Sequence, residues 1–134
     1  MGSIGELRGI TPKEATKLRK AGVRTTESLL KQAGTKRGRG ALGRSTGLDP
    51  DRIMEWVDRA DLMRVKGIGA EYADLLKMAG VDSVKALRRR NAASLLRTMS
   101  ELNDDTRLVR RLPTESMVGS WVRFAASLDP VIKS

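Results

Sequence analysis

The chain has 134 residues, enough for one compact domain or two very small ones. Its net charge of +10 favours a polyanionic partner such as nucleic acid, although basic side chains can also serve solubility alone. Cysteine and histidine are absent, which removes disulfides and imidazole or thiol chemistry, so we expect no catalytic residues, no metal site and no cofactor. No apolar run approaches the roughly 20 residues of a membrane-spanning helix, and we expect a cytoplasmic protein without a membrane partner.

The first predicted element is a turn at residues 9–12, called here the first glycine turn. Gly9 and Ile10 are followed by Thr11 as a helix cap and by Pro12 at the first helical position. Apolar residues spaced three and four apart then predict an amphipathic helix, which ends at Gly22.

Three further helical segments are considered in the first half of the chain. Thr25 is expected to cap a short helix running to about Gln32. Residues 35–45 are basic and rich in glycine, which fits either a weak helix or a partly ordered loop. Asp49 and Pro50 are a strong start signal for a helix that carries Trp56.

Residues 67–70 form the second predicted turn, called here the second glycine turn. Gly67 and Gly69 flank an aliphatic residue, so left-handed conformations are accessible and no side chain keeps another molecule from the backbone. The turn opens a helix, whose first N–H groups and partial positive charge can bind an anion. The same kind of turn also occurs where two helices merely pack closely.

The rest of the chain also reads as helical. Asp82 is expected to cap a short helix running to about Arg90, and Asn91 a helix that ends near Leu102. Residues 103–106 are expected to form a polar turn before a last helix with Trp121. No segment alternates as a β-strand does, so the sequence predicts an all-α protein of roughly eight to ten short helices. Both tryptophans lie on apolar stripes and are expected in the core.

The two halves are internal repeats. When their Gly-Ile pairs are aligned, the identical positions are Gly9/Gly67, Ile10/Ile68, Ala15/Ala73, Leu18/Leu76, Ala21/Ala79, Gly22/Gly80, Val23/Val81 and Leu29/Leu87. The similarity resumes, at a slightly larger separation, in the helices around Trp56 and Trp121. We therefore predict two repeats, residues 1–61 and 62–134, packed into one compact unit.

The repeated pattern Leu-x-Gly-Ile-x-x-x-x-Ala-x-x-Leu-x-x-Ala-Gly-Val, with Val65 in the leucine position of the second copy, resembles the helix-hairpin-helix module. Each half resembles the N-terminal domain of archaeal and eukaryotic RecA-type recombinases, and the C-terminal domain of the RNA polymerase α-subunit is a more distant likeness. Nearly the whole chain is similar to a bacterial family of stand-alone tandem helix-hairpin-helix proteins known only as a domain of unknown function.

This resemblance implies sequence-independent binding of duplex DNA through backbone N–H groups, although some members of the superfamily use the fold for protein contacts instead. Transferred onto this chain, the candidate binding residues are Lys66, Gly67, Ile68, Gly69, Ala70 and Lys77 in the second half and Arg8, Gly9, Ile10, Thr11, Lys13 and Lys17 in the first.

The two glycine turns differ in the features that favour phosphate binding. The side chain of Thr11, in place of a second glycine, can occupy the N–H groups that a phosphate would need. Glu71 and Asp74 follow the second glycine turn and would repel a phosphate, although they can also complement the helix dipole. The backbone geometry therefore favours phosphate binding at the second turn, whereas the surrounding charge favours it at the first.

Three other basic clusters are either solvated faces or additional contacts to a polyanion: residues 36–39, residues 88–90, and Arg107 with residues 110–111. The leading hypothesis is a non-enzymatic module that binds double-stranded nucleic acid. The alternative is a protein-interaction or scaffolding module, and an enzyme or metal protein is the third class.

Overall fold

The computed structural model describes residues 2–132, and within them the protein is all-α, as predicted. A short 3₁₀ helix, Ile4–Glu6, precedes eight α-helices, and the described residues contain no β-strand, only an isolated antiparallel bridge between Ser3 and Thr25. The α-helices are α1 Pro12–Lys20, α2 Thr26–Ala33, α3 Lys36–Thr46, α4 Pro50–Leu62, α5 Ala70–Met78, α6 Val84–Leu87, α7 Ala92–Thr106 and α8 Glu115–Ala126.

Most of these helices start where a side chain caps the first backbone N–H groups. The side-chain oxygen of the residue before the helix accepts a hydrogen bond from the backbone three residues on at Thr11, Thr25, Thr35, Ser83, Asn91 and Thr114. Asp49 caps α4 in a related way, since its Oδ1 accepts from the Asp51 N–H at 2.9 Å.

Helix boundaries differ from the sequence-based expectation at α6 and at α7. The cap of α6 is Ser83, whose Oγ accepts from the Ala86 N–H at 3.0 Å, so the prediction of Asp82 was wrong by one residue. The helix ends at Leu87 rather than near Arg90. Residues 103–106 do not form a separate polar turn but belong to the C-terminal end of α7. Arg107, the residue after the helix, is left-handed with φ of 51°. The sequence allowed a weak helix or a partly ordered loop for the basic segment after Thr35, and the structure has the helix, α3.

Contacts divide the chain into two compact units, described here separately. The first unit contains the described residues up to Asp61 together with Val131 and Ile132, and the second contains Leu62–Pro130. The core of the first unit is built from Ile4, Leu7, Leu18, Val23, Leu29, Leu42, Ile53 and Trp56. The core of the second unit is built from Leu62, Val65, Ile68, Leu75, Leu76, Val81, Leu87, Leu95, Met99 and Trp121.

Several residues that are identical in the two halves of the sequence have closely matching local structure. Gly22 and Gly80 end α1 and α5 with φ of 88° and 89°, and Leu18 and Leu76 are both fully buried. In each unit the valine after the glycine donates its N–H to the carbonyl of that leucine at 2.9 Å. Trp56 and Trp121 are 1% and 2% exposed, which confirms that both belong to the core.

None of the helices in the described range combines the length and the apolar character needed to cross a membrane.

Candidate nucleic-acid interface

The second glycine turn is anchored by its central isoleucine. Ile68 is 4% exposed and belongs to the core of the second unit, and its N–H donates to the Val65 carbonyl at 3.1 Å. Of the two flanking glycines only Gly67 is left-handed, with φ of 96°, whereas Gly69 is extended with φ of −94°. The left-handed freedom of glycine is therefore required at Gly67 alone.

Two aromatic side chains support this turn. A Cβ placed on Gly67 would lie 2.9 Å from Nε1 of the buried Trp121 indole, so the backbone passes close to this edge of the ring. The Tyr72 ring packs against Trp121 with centroids 5.2 Å apart, and its hydroxyl donates to the Arg111 carbonyl at 2.9 Å. Trp121 and Tyr72 thus support the turn from within the second unit, which the sequence did not indicate.

The start of α5 is open. Gly69 is the N-cap residue and supplies no side-chain hydrogen bond to the first turn of the helix. It is exposed, and apart from Gly69 and its two chain neighbours no heavy atom lies within 4 Å of the position that a Cβ would take. A ligand oxygen can therefore approach the N–H groups at this helix end without displacing a side chain.

At the first glycine turn, by contrast, side chains already occupy backbone N–H groups at the start of α1. Thr11 Oγ1 accepts from the Glu14 N–H at 3.2 Å, and Glu14 Oε1 accepts from the Thr11 N–H at 2.9 Å, which together form a capping box. This confirms the expectation that the Thr11 side chain occupies an N–H group at the start of α1.

Arg52 of α4 also binds the first glycine turn, a contact that the sequence did not suggest. Its Nε lies 2.9 Å from Glu14 Oε2, and its Nη2 donates to the Gly9 carbonyl. Hydrogen bonding from this guanidinium is the main reason that the pKa of Glu14 falls from its ordinary value of 4.5 to about 2. Arg52 also lies over the Trp56 ring, 5.4 Å from its centroid.

The predicted cations occupy different positions relative to the turns. Lys66 and Lys13 are exposed beside the second and first turns, and Arg8 and Lys17 are partly buried. Lys77 is partly buried near the far end of α5, seven residues or about 10 Å from Ala70 along the helix. Lys77 therefore flanks the end of the helix rather than the turn.

The two acids beside the second turn also differ. Glu71 is exposed in the first turn of α5, where a carboxylate complements the helix dipole and also repels a phosphate. Asp74 is only 9% exposed, so it is largely shielded from solvent and from a ligand.

One cation of the basic clusters has a structural role. Arg39 is 8% exposed, and its Nη1 donates to the carbonyls of Ala33 and Gly34 at 3.0 and 3.1 Å. It therefore caps the C-terminal end of α2 from within α3. Nothing in the cluster at residues 36–39 distinguishes this arginine by sequence, because its inward direction is set by its position on α3.

Within residues 2–132 no group of three or more acidic, cysteine or histidine side chains could hold a metal ion. No curated protein and no solved structure matches the chain. Residues 8–128 match the family described as Domain of unknown function (DUF4332), which covers both glycine turns and all helices from α1 to α8. The chain belongs to this family.

Proposed function

We propose that this protein is a non-catalytic module of the helix-hairpin-helix type that binds double-stranded nucleic acid without sequence specificity. The observation that carries the proposal is the open N-terminal end of α5, where Gly69 provides neither a capping side chain nor a steric obstacle. A phosphate oxygen at this end would accept from backbone N–H groups and be stabilised by the helix dipole.

The charge of the chain supports the same partner. A net charge of +10 on 134 residues attracts polyanions, and the exposed Lys66 stands next to the open turn. Backbone contacts to phosphates carry no base information, so the binding is expected to be insensitive to sequence. A nucleic-acid partner also fits a cytoplasmic location, which cell fractionation would test.

The central test compares Gly69→Asp with the wild type by fluorescence anisotropy on a random duplex DNA at two salt concentrations. We expect the wild-type affinity to fall steeply with salt, and the variant to bind roughly ten-fold more weakly because its carboxylate occupies the N–H groups and repels phosphate. Since Gly69 has φ of −94° and open space, the variant should keep the helical content of the wild type.

A matched control separates this effect from a change in net charge. Asn91→Asp adds the same charge at the start of α7, where the existing side chain already caps the helix through the Ser94 N–H at 3.0 Å. We expect this control to bind as the wild type does. Equal losses in both variants, or no loss in Gly69→Asp, would contradict binding at the second glycine turn.

A protein-interaction module is the second candidate, and one observation favours it. Met117 and Phe124 lie seven residues apart on one side of α8, and each is 38% exposed. A protein-interaction module requires that salt-sensitive DNA binding be absent near physiological ionic strength, and the same titration measures this. Metal-dependent cleavage of the DNA in that titration would instead favour an enzyme.

A further inference from the structure

We propose that the exposed face of α3, called here the cationic face, is a second nucleic-acid contact, formed by the first unit. Its members are the exposed Lys36, Arg37, Ala41, Arg44 and Ser45 together with the partly buried Gly40. This inference rests on the proposed function, which it extends from the second unit to the first.

The cations of this face fall on one side of the helix. Lys36 and Arg44 lie eight residues apart and Arg37 and Arg44 lie seven apart, spacings that correspond to about two helical turns. All three are exposed, and no ion pair is found for any of them within residues 2–132. Their charge is therefore available to a partner.

The segment around them contains no compensating acid. From Thr35 to Leu48 the sequence has four arginine or lysine residues and no aspartate or glutamate, and Arg39 is the member directed inward. A helix face with three cations and no anion creates a positive potential that would favour a line of phosphates.

The glycines of α3 separate into two kinds. A Cβ on Gly38 would collide with the Gln32 carbonyl, and a Cβ on Gly43 would lie 3.0 Å from the Leu48 carbonyl oxygen, so close packing explains both. Gly40 is different, because only the flexible end of Arg44, at 3.5 Å, lies near its Cβ position.

Gly40 therefore has no packing reason to be glycine, and glycine weakens a helix interior relative to alanine. Gly40 lies between Lys36 and Arg44, so a partner can approach the helix backbone closely there while both cations contact it from either side. A phosphate backbone has the charge and the narrow profile for this approach.

The composition of the face favours nucleic acid over a membrane surface. Helices that lie on membranes pair a basic face with large apolar side chains that enter the lipid. Here the residues between the cations are Gly40, Ala41 and Ser45, which offer nothing to insert.

The test measures anisotropy with the full chain and a 24-base-pair random duplex DNA. At 0.15 M salt we expect the double variant Arg37→Gln with Arg44→Gln to bind roughly thirty-fold more weakly, and its log–log salt slope to be shallower by about two, because two phosphate contacts are lost. The control, Arg24→Gln with Lys31→Gln, removes the same charge from exposed positions of the first unit and should lose no more than about three-fold.

Gly40→Gln tests close approach at unchanged charge. We expect its helix to be more stable to heat and its affinity to be about five-fold lower, whereas Ser45→Gln, at the edge of the face, should bind as the wild type does. Wild-type affinity in Gly40→Gln would overturn the close approach.

The outcomes distinguish this proposal from the proposed function. If Gly69→Asp loses affinity while the Arg37 and Arg44 variant keeps both its affinity and its salt slope, the cationic face is overturned and the proposed function stands. If the wild type shows no salt-sensitive binding to the duplex, both are overturned. Loss of binding by the double variant to phosphatidylserine vesicles, but not to duplex DNA, would also overturn the cationic face as a nucleic-acid contact.

Discussion

The two glycine turns begin with the same residues, Gly-Ile, but differ in whether side chains cap the helix that follows. In the first, Thr11 and Glu14 form a capping box, and Arg52 binds both Glu14 and the Gly9 carbonyl. In the second, Gly69 leaves the helix end uncapped. The comparison teaches that one turn of the pair can be devoted to stability while the other keeps its backbone N–H groups accessible.

The contrast extends to the side chains that cover each turn. When the two Gly-Ile pairs are aligned, Tyr72 stands in the place of Glu14, and when the two tryptophans are aligned, Met117 stands in the place of Arg52. The ion pair of the first unit is thus absent at the matching positions of the second. There Tyr72 packs on Trp121, whose indole supports the glycine turn.

The largest expected effect distinguishes the two left-handed glycines. Gly67→Ala should destabilise the protein by about 3–4 kcal/mol, because the new methyl group adds a contact with a buried, rigid indole to the strain of a left-handed residue. Gly9→Ala meets open space and should cost only about 1–2 kcal/mol, the strain alone. Urea unfolding followed by circular dichroism measures both, and equal losses would contradict a supporting role for Trp121.

Arg52→Gln removes the closure of the first turn. We expect a loss of about 1 kcal/mol near pH 7, since the ion pair is partly exposed and one charged hydrogen bond to a carbonyl is lost with it. Met117→Gln, at the corresponding position of the second unit, should change the free energy of unfolding by less than about 0.5 kcal/mol. Similar losses in both variants would show that the ion pair contributes nothing of its own.

The same pair predicts a pH dependence. The pKa of Glu14 is lowered on folding, so the stabilisation is fully present above its ordinary value of 4.5 and is lost as the pH falls toward about 2. The stability difference between the wild type and Arg52→Gln should therefore shrink over that range. Urea midpoints measured at pH 7, 5, 4 and 3 test this, and a difference that is constant down to pH 3 would contradict it.

Exchanging the caps has the smallest expected effect on stability. Thr11→Gly and Gly69→Thr should lower and raise the free energy of unfolding by a few tenths of a kcal/mol respectively. Gly69→Thr should also weaken duplex DNA binding, because its hydroxyl occupies an N–H group without adding charge.

Thr11→Gly should not strengthen DNA binding, since Glu14 still accepts from the backbone N–H of residue 11 and is held by Arg52. Stronger binding would mean that the hydroxyl alone closes the first turn. Thermal unfolding and anisotropy on the same samples report both quantities.

Much of the local structure could be predicted because it depends on neighbouring residues. Thr11 before Pro12 and Asp49 before Pro50 mark helix starts through groups one to three residues apart. The failure at Asp82 has the same origin, since Asp82 and Ser83 are both good caps and the backbone alone decides which one faces the first turn of α6.

The parts of the site that could not be predicted depend on contacts between distant residues. Glu14 and Arg52 are 38 residues apart, and nothing in the residues around either one indicates the other. Arg39 is one of three cations in a run of four residues, and only its place on the inner side of α3 turns it toward the end of α2.

The sequence by itself determined the helical class, the repeated Gly-Ile turns and the difference between Thr11 and Gly69, because periodicity, capping and glycine conformations are properties of a few adjacent residues. The tertiary structure decided that Arg52 closes the first turn, that Trp121 supports the second, and that Arg37 and Arg44 remain on the surface while Arg39 does not. Those outcomes follow from the packing of helices, which brings together side chains that the chain itself keeps far apart.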